Sequence, residues 1–118
     1  MLAAALLSAA PARALDASSV YGFWQPPDGG RIQIQPCDDR LCGYVRDDGD
    51  KNPEVHPGHL LLKHLEYQGA LTWSDGQIHN PRDNRVYGAK LRLIDTNQLK
   101  LTGCLWIFCG SQTWTRIE

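Results

Sequence analysis

A glycine, a spacer and a tryptophan, Gly22-Phe23-Trp24, open the first strand-like stretch of the chain, and Gln112-Thr113-Trp114-Thr115-Arg116 closes the last one. An indole is the largest apolar body a sequence can supply, and a guanidinium can lie flat on it. Such a stack is worth about 0.5–2 kcal/mol, more where water is excluded. If Trp24 and Arg116 meet, the first and last strands are neighbours. A sheet whose end strands pair is closed and loses its exposed edges, so this pair predicts a barrel.

The chain between them is consistent with that. From Val20 onward, short runs of period-two alternation are separated by turn residues, and no long stretch carries helical periodicity. Pro26-Pro27-Asp28-Gly29-Gly30 ends the first strand. In 31–35, Ile32 and Ile34 share the inward face, and 41–46 returns. Residues 60–67 read as a strand, with a short helix as the alternative. Residues 70–73 and 77–79 flank a turn at Ser74-Asp75-Gly76. A second turn spans 80–84, with Asn84 suited to the left-handed region. The clearest strand is 85–95, with Ala89, Leu91 and Leu93 on one face and Lys90 and Arg92 on the other. Residues 98–104 repeat the device with Leu99 and Leu101, and 112–117 close the set. The expectation is all-β: a small antiparallel up-and-down barrel of about eight strands.

Residues 1–10 are Ala/Leu-rich and uncharged, and Ala12-Arg13-Ala14 offers the small-x-small step of a signal-peptide cleavage site. Residues 1–14 therefore read as a leader and 15–118 as one domain. No Lys or Arg precedes the apolar run, which is unusual for a signal, and a buried N-terminal helix is the alternative. The run is too short to cross a bilayer, and no other segment approaches the necessary length. The expected protein is soluble and periplasmic or secreted. With 12 basic and 13 acidic residues the net charge is −1. Without a basic stripe there is no footprint for nucleic acid.

Four cysteines form two CxxxxC pairs, Cys37/Cys42 and Cys104/Cys109, and three pairings are formally open. Two local disulfides are favoured, since a polar four-residue turn between strands brings Cys37 and Cys42 within reach. A four-cysteine zinc site is the rival reading, disfavoured in an oxidising compartment.

Residues 47–59 form the longest segment without strand or helix pattern, and such loops in small domains are usually functional or mobile. Asp48-Gly49-Asp50-Lys51-Asn52 begins like a calcium loop, but Pro53 and His59 stand where glycine and a bidentate glutamate are needed, which leaves a solvated acidic loop. His56, His59 and His64, with His79 nearby, could approach a metal, yet no ligand motif fixes their geometry, and surface histidines account for them. Neither metal nor cofactor is expected. No GxSxG elbow, free thiol or assignable carboxylate pair argues for catalysis. Trp24, Trp73, Trp106 and Trp114, with Tyr44 and Tyr87, either fill a small lumen, the favoured reading, or line a cleft for a small planar ligand.

Taken together, Gly22/Trp24, Cys37 with Leu41-Cys42-Gly43, Asp50 with Asn52-Pro53, Trp73, Gly76, Ile78, Pro81, Tyr87 with Ala89-Lys90-Leu91, Leu99/Leu101/Gly103-Cys104 and 112–116 resemble the bacterial family catalogued as domain of unknown function 2147. The resemblance implies a small exported protein with a calycin-like barrel, and implies no activity. The chain departs from the family's usual pattern after Asn52-Pro53, where arginines are common, and at Asn80 and Asn84. The Trp24/Arg116 pair is also similar to the structural signature of lipocalins. The resulting expectation is a non-catalytic exported barrel that takes a small apolar or aromatic molecule at its mouth, under the 47–59 loop, with Asp50, Asn52, Trp73 and Tyr87 as candidate ligand contacts. Gly22, Trp24, Trp114 and Arg116 would be structural. The alternatives are an envelope interaction domain with a filled core and a hydrolase whose site the sequence conceals.

Overall fold

The computed structural model describes residues 14–47 and 57–117. A 3-10 turn, Ala17–Val20, leads into eight strands: β1 (Gly22–Gln25), β2 (Arg31–Cys37), β3 (Arg40–Asp47), β4 (Leu60–Gly69), β5 (Thr72–Asn80), β6 (Arg85–Asp95), β7 (Gln98–Leu105) and β8 (Phe108–Arg116). Each strand pairs antiparallel with the next and β8 pairs with β1, giving a closed up-and-down barrel.

Closure is local and strong. Trp24 lies opposite Arg116, and Gln25 opposite Thr115. The Trp24 side chain is fully buried, and its indole N–H donates to the carbonyl of Val20 at 2.9 Å. The Arg116 guanidinium lies 4.3 Å from the Trp24 ring centroid. It also donates to three carbonyls: Thr96 in the β6–β7 turn at 2.6 Å, Tyr21 at 3.0 Å, and Ser19. One side chain thus ties the last strand, the 3-10 turn and a neighbouring hairpin to the indole that fills the space between them. Gly22 begins β1 at φ +137°, a conformation that residues with a Cβ rarely adopt, which accounts for the glycine two positions before the tryptophan.

The 3-10 turn and the β2–β3, β4–β5 and β6–β7 connections gather at this closed end; the β1–β2, β5–β6 and β7–β8 connections, the end of β3 and the start of β4 lie at the open end. The inward faces of the strands supply one core. Val20, Ile34, Leu62, Leu65, Leu91, Leu93 and Leu99 pack around Trp24, Trp73 and Trp114. Both local disulfides form. Cys37–Cys42 staples the β2–β3 turn at the closed end, and Cys104–Cys109 staples β7–β8 at the open end.

Two boundaries differ from the sequence reading. Ser74-Asp75-Gly76 is not a turn: β5 runs through it with a bulge, at which Asp75 takes φ +58°. Gly76 is buried there, and a Cβ on it would lie 2.7 Å from the Leu65 side chain. The glycine is thus needed for close packing rather than for chain reversal. The reversal occurs instead at Ala70-Leu71, both at positive φ, with Leu71 packed against the core. Strand β8 begins at Phe108, four residues before the expected start, and continues a tight hairpin from β7. Residues 60–67 lie within a strand, not a helix.

Arg116→Ala removes a stack and leaves three carbonyls without their donor, and is expected to lower the unfolding free energy by about 2–4 kcal/mol. Arg116→Lys, which keeps the charge but not the planar fork, should recover only part of the loss. Denaturant unfolding of the two variants checks this; an Arg116→Ala protein as stable as the parent would contradict the closure described.

Candidate functional site: the open end of the barrel

Two prolines shape this end. Proline has no N–H to give to a ladder, and β1 stops at Gln25 because Pro26 and Pro27 follow it. Strand β8 is more than twice as long. The N–H of Arg116 donates to Asn97 and that of Ile117 to Phe23. Even-numbered residues of β8 therefore address β7, and odd-numbered ones address β1. Above Thr115 the partner has ended, so the backbone groups of Cys109, Ser111 and Thr113 face a slit whose far side is the β1–β2 connection.

Slit and mouth open into one cavity of about 610 Å³. Its wall is apolar, built from Ile32, Val45, Leu61, Ile78, Leu101 and Trp114. Asp28, Asp47, Asn80, Arg82 and Tyr87 ring it. The Trp114 indole donates to Gln112 Oε1 at 3.0 Å, which fixes the ring that forms part of the wall. Gly110 pairs with Gly103 across the β7–β8 ladder, and no atom lies within 4 Å of where a Gly110 Cβ would stand. That missing side chain is open volume.

Three polar contacts hold the rim. Arg82, in the β5–β6 turn, reaches Asp28, in the β1–β2 turn, at 3.1 Å. These turns lie on opposite sides of the eight-strand ring, so the ion pair crosses the mouth. Both partners are about half exposed, and such a pair is worth at most about 1 kcal/mol. The Tyr87 hydroxyl donates to Asp83 Oδ2. That hydrogen bond is the main cause holding the Asp83 carboxyl below its ordinary pKa, with the Arg85 N–H and charge adding to it, and it raises the Tyr87 phenol. Third, His59 and His79 stand with ring centroids 5.0 Å apart. His59 Nε2–H donates to the His79 carbonyl at 3.1 Å, and His79 Nε2 meets Asn84 Oδ1 at 3.0 Å. These bonds pin the start of β4 to the end of β5 and to Asn84, which takes φ +55°.

Of the four ligand contacts expected from sequence, Tyr87 lines the cavity. Trp73 does not: it is buried towards the closed end, with its ring 5.0 Å from that of Tyr67, beside a small cleft that includes Tyr21 and Pro36. Asp50 and Asn52 lie outside the described residues, as does His56. His64 is an exposed β4 residue apart from the His59/His79 pair, and no group of three metal-binding side chains occurs among the described residues. Trp114, named among the structural residues, is also cavity wall. Ile78, Gly110 and Gln112 were not anticipated as lining. Gly103 and Gly110 were the available signal, because glycine inside a strand often marks a bulge or a close approach.

No curated protein matches the chain. A family model described as "Uncharacterized protein conserved in bacteria (DUF2147)" matches residues 22–116. Among solved structures, protein HP1028 from the human pathogen Helicobacter pylori, described as belonging to the lipocalin family, superposes with a TM-score of 0.71 at 17% identity, over 83% of this chain and 82% of that one. At that identity the likeness speaks to fold, an eight-stranded barrel of lipocalin type.

Because the folded Asp83 pKa lies below its unfolded value, the Tyr87–Asp83 contact contributes stability above about pH 4 and loses it as pH falls through the lowered value. Tyr87→Phe should move the Asp83 titration upward towards that of a free carboxylate, read by carboxyl-carbon NMR. An unmoved titration would mean the hydroxyl is not the partner.

Proposed function

The chain belongs to the DUF2147 family of uncharacterised bacterial proteins, and from that premise we propose that it is an exported, non-catalytic binding protein that holds one small apolar or aromatic molecule in the open half of its barrel. The observation that carries this reading is the cavity itself. Its volume of about 610 Å³ falls inside the roughly 300–1,000 Å³ span of small-molecule sites, and its make-up, an apolar wall with a few polar groups at the rim, is that of a ligand site. The rim carries charges of both signs, Asp28 and Asp47 against Arg82, so it favours neither strong anions nor strong cations. Selection falls to shape and apolar contact with Ile78, Leu101 and Trp114. Among the described residues the lining presents no paired nucleophile and base, which is why binding is preferred to hydrolysis here.

Export is part of the proposal. Residues 1–14 act as a leader that is removed, and the two disulfides suit an oxidising compartment. Intact mass of the protein recovered from the periplasm should correspond to a chain starting at Leu15; a protein retaining residues 1–14 would refute the leader.

Phenylnaphthylamine, a neutral apolar fluorophore, should bind the parent protein and alter the emission of Trp114. Gly110→Leu projects a side chain into the open volume and should weaken that binding at least about tenfold, with stability unchanged or slightly raised. Failure of the parent to bind any neutral apolar probe, or equal binding by the variant, would remove the lumen as the site.

A further inference from the structure

The β7–β8 hairpin turns on two residues, Trp106 and Ile107, and carries Phe108 at the start of β8. These are the three most exposed large apolar side chains among the described residues, at 83%, 69% and 70%. A two-residue hairpin normally turns on glycine, asparagine or aspartate, since it needs positive φ. Here Trp106 stands at φ +58°. A bulky aromatic in that region is strained, and its exposure to water is unfavourable as well. Neither folding nor solubility explains the residue. Inference from such an outlier runs towards function.

Four further observations narrow what the tip meets. Residues 101–115 contain no charged side chain. The tip is convex, and Trp106 and Phe108 pack edge to face with centroids 6.3 Å apart. It is braced from behind by the Cys104–Cys109 disulfide and by Thr102 Oγ1 against Ser111 Oγ at 2.8 Å. Its inner side, Leu105 and Phe108, continues directly into the apolar wall of the cavity. A protein partner would need a matching concavity. The interfacial layer of a bilayer accepts a stiff, uncharged, aromatic projection without one.

We propose that the β7–β8 tip is a lipid-contact finger: Trp106, Ile107 and Phe108 insert into the interfacial region of a phospholipid bilayer and bring the mouth of the barrel to the membrane surface. The contact is reversible, because a single small apolar anchor gives marginal binding. It is independent of charge, because the finger has none and the rim carries both signs, Asp28 and Asp47 against Arg82. It stands whether or not the lumen holds a ligand.

Trp24, Trp73 and Trp114 are buried, so Trp106 reports its own surroundings. Zwitterionic phosphatidylcholine vesicles should shift the protein's emission to the blue, vesicles brominated on the acyl chains should quench it, and added salt should change neither. Trp106→Gly should reduce co-flotation with the vesicles at least about tenfold while the thermal midpoint stays level or rises, since glycine relieves the turn. Ile107→Ser combined with Phe108→Ser keeps the reporter and should abolish its shift. The proposal fails if the parent shows no shift and no flotation, or if Trp106→Gly floats as well as the parent. It also fails if the shift follows protein concentration without vesicles together with self-association in sedimentation, which would make the finger a contact between copies.

Discussion

The contact between Arg116 and Trp24 is the one on which the molecule turns. A sheet with two free edges gains nothing from being curved unless something holds the edges together, and here β1 and β8 share only a short stretch of ladder. What holds it is a guanidinium that stacks on a buried ring and supplies donors to three carbonyls from two different parts of the chain. Those carbonyls belong to the 3-10 turn, the residue after it and the β6–β7 turn, which would otherwise leave acceptors unsatisfied at the base of the core. Closure, plugging and satisfaction of the backbone are achieved by the same two side chains.

Because that work is concentrated at one end, the other can be left open. Fully buried core residues, Val20, Trp24, Leu65 and Leu99, anchor the closed half, while the upper strand positions of β7 and β8 carry opposed glycines and a polar Gln112. Filling a barrel with side chains and leaving a cavity in it are competing uses of one interior. In this chain both occur, divided along the axis.

Much of this was legible in the residues because it rests on strong local signals. The alternation of Ala89, Leu91 and Leu93 with Lys90 and Arg92 fixes a strand and its faces, and the Trp24/Arg116 pair joins the ends. What was not legible depends on where along the barrel axis a residue falls. From sequence, Trp73 is a candidate at the mouth, and Ser74-Asp75-Gly76 reads as a chain reversal. The true reversal lies at Ala70-Leu71, which has no turn chemistry, and this moves Trp73 to the closed end. The Trp106-Ile107 turn was hidden for the same reason: its residues look like strand or core, and only a backbone conformation reveals them as a tip. Tyr87 lies in β6, whose strand pattern is unambiguous, and it lines the cavity.

The brevity of β1 has a mechanical result. Between Gln25 and Arg31 the barrel wall is an irregular connection, with no β1–β8 register pair above Thr115. That seam can part without breaking a rung of the ladder, whereas any other seam of the cylinder must lose several. The stiffness of the wall is therefore anisotropic. Seven of the eight seams are joined by ladders along their strands and the eighth only at its closed end, so the cylinder resists widening everywhere except along that one line at its mouth.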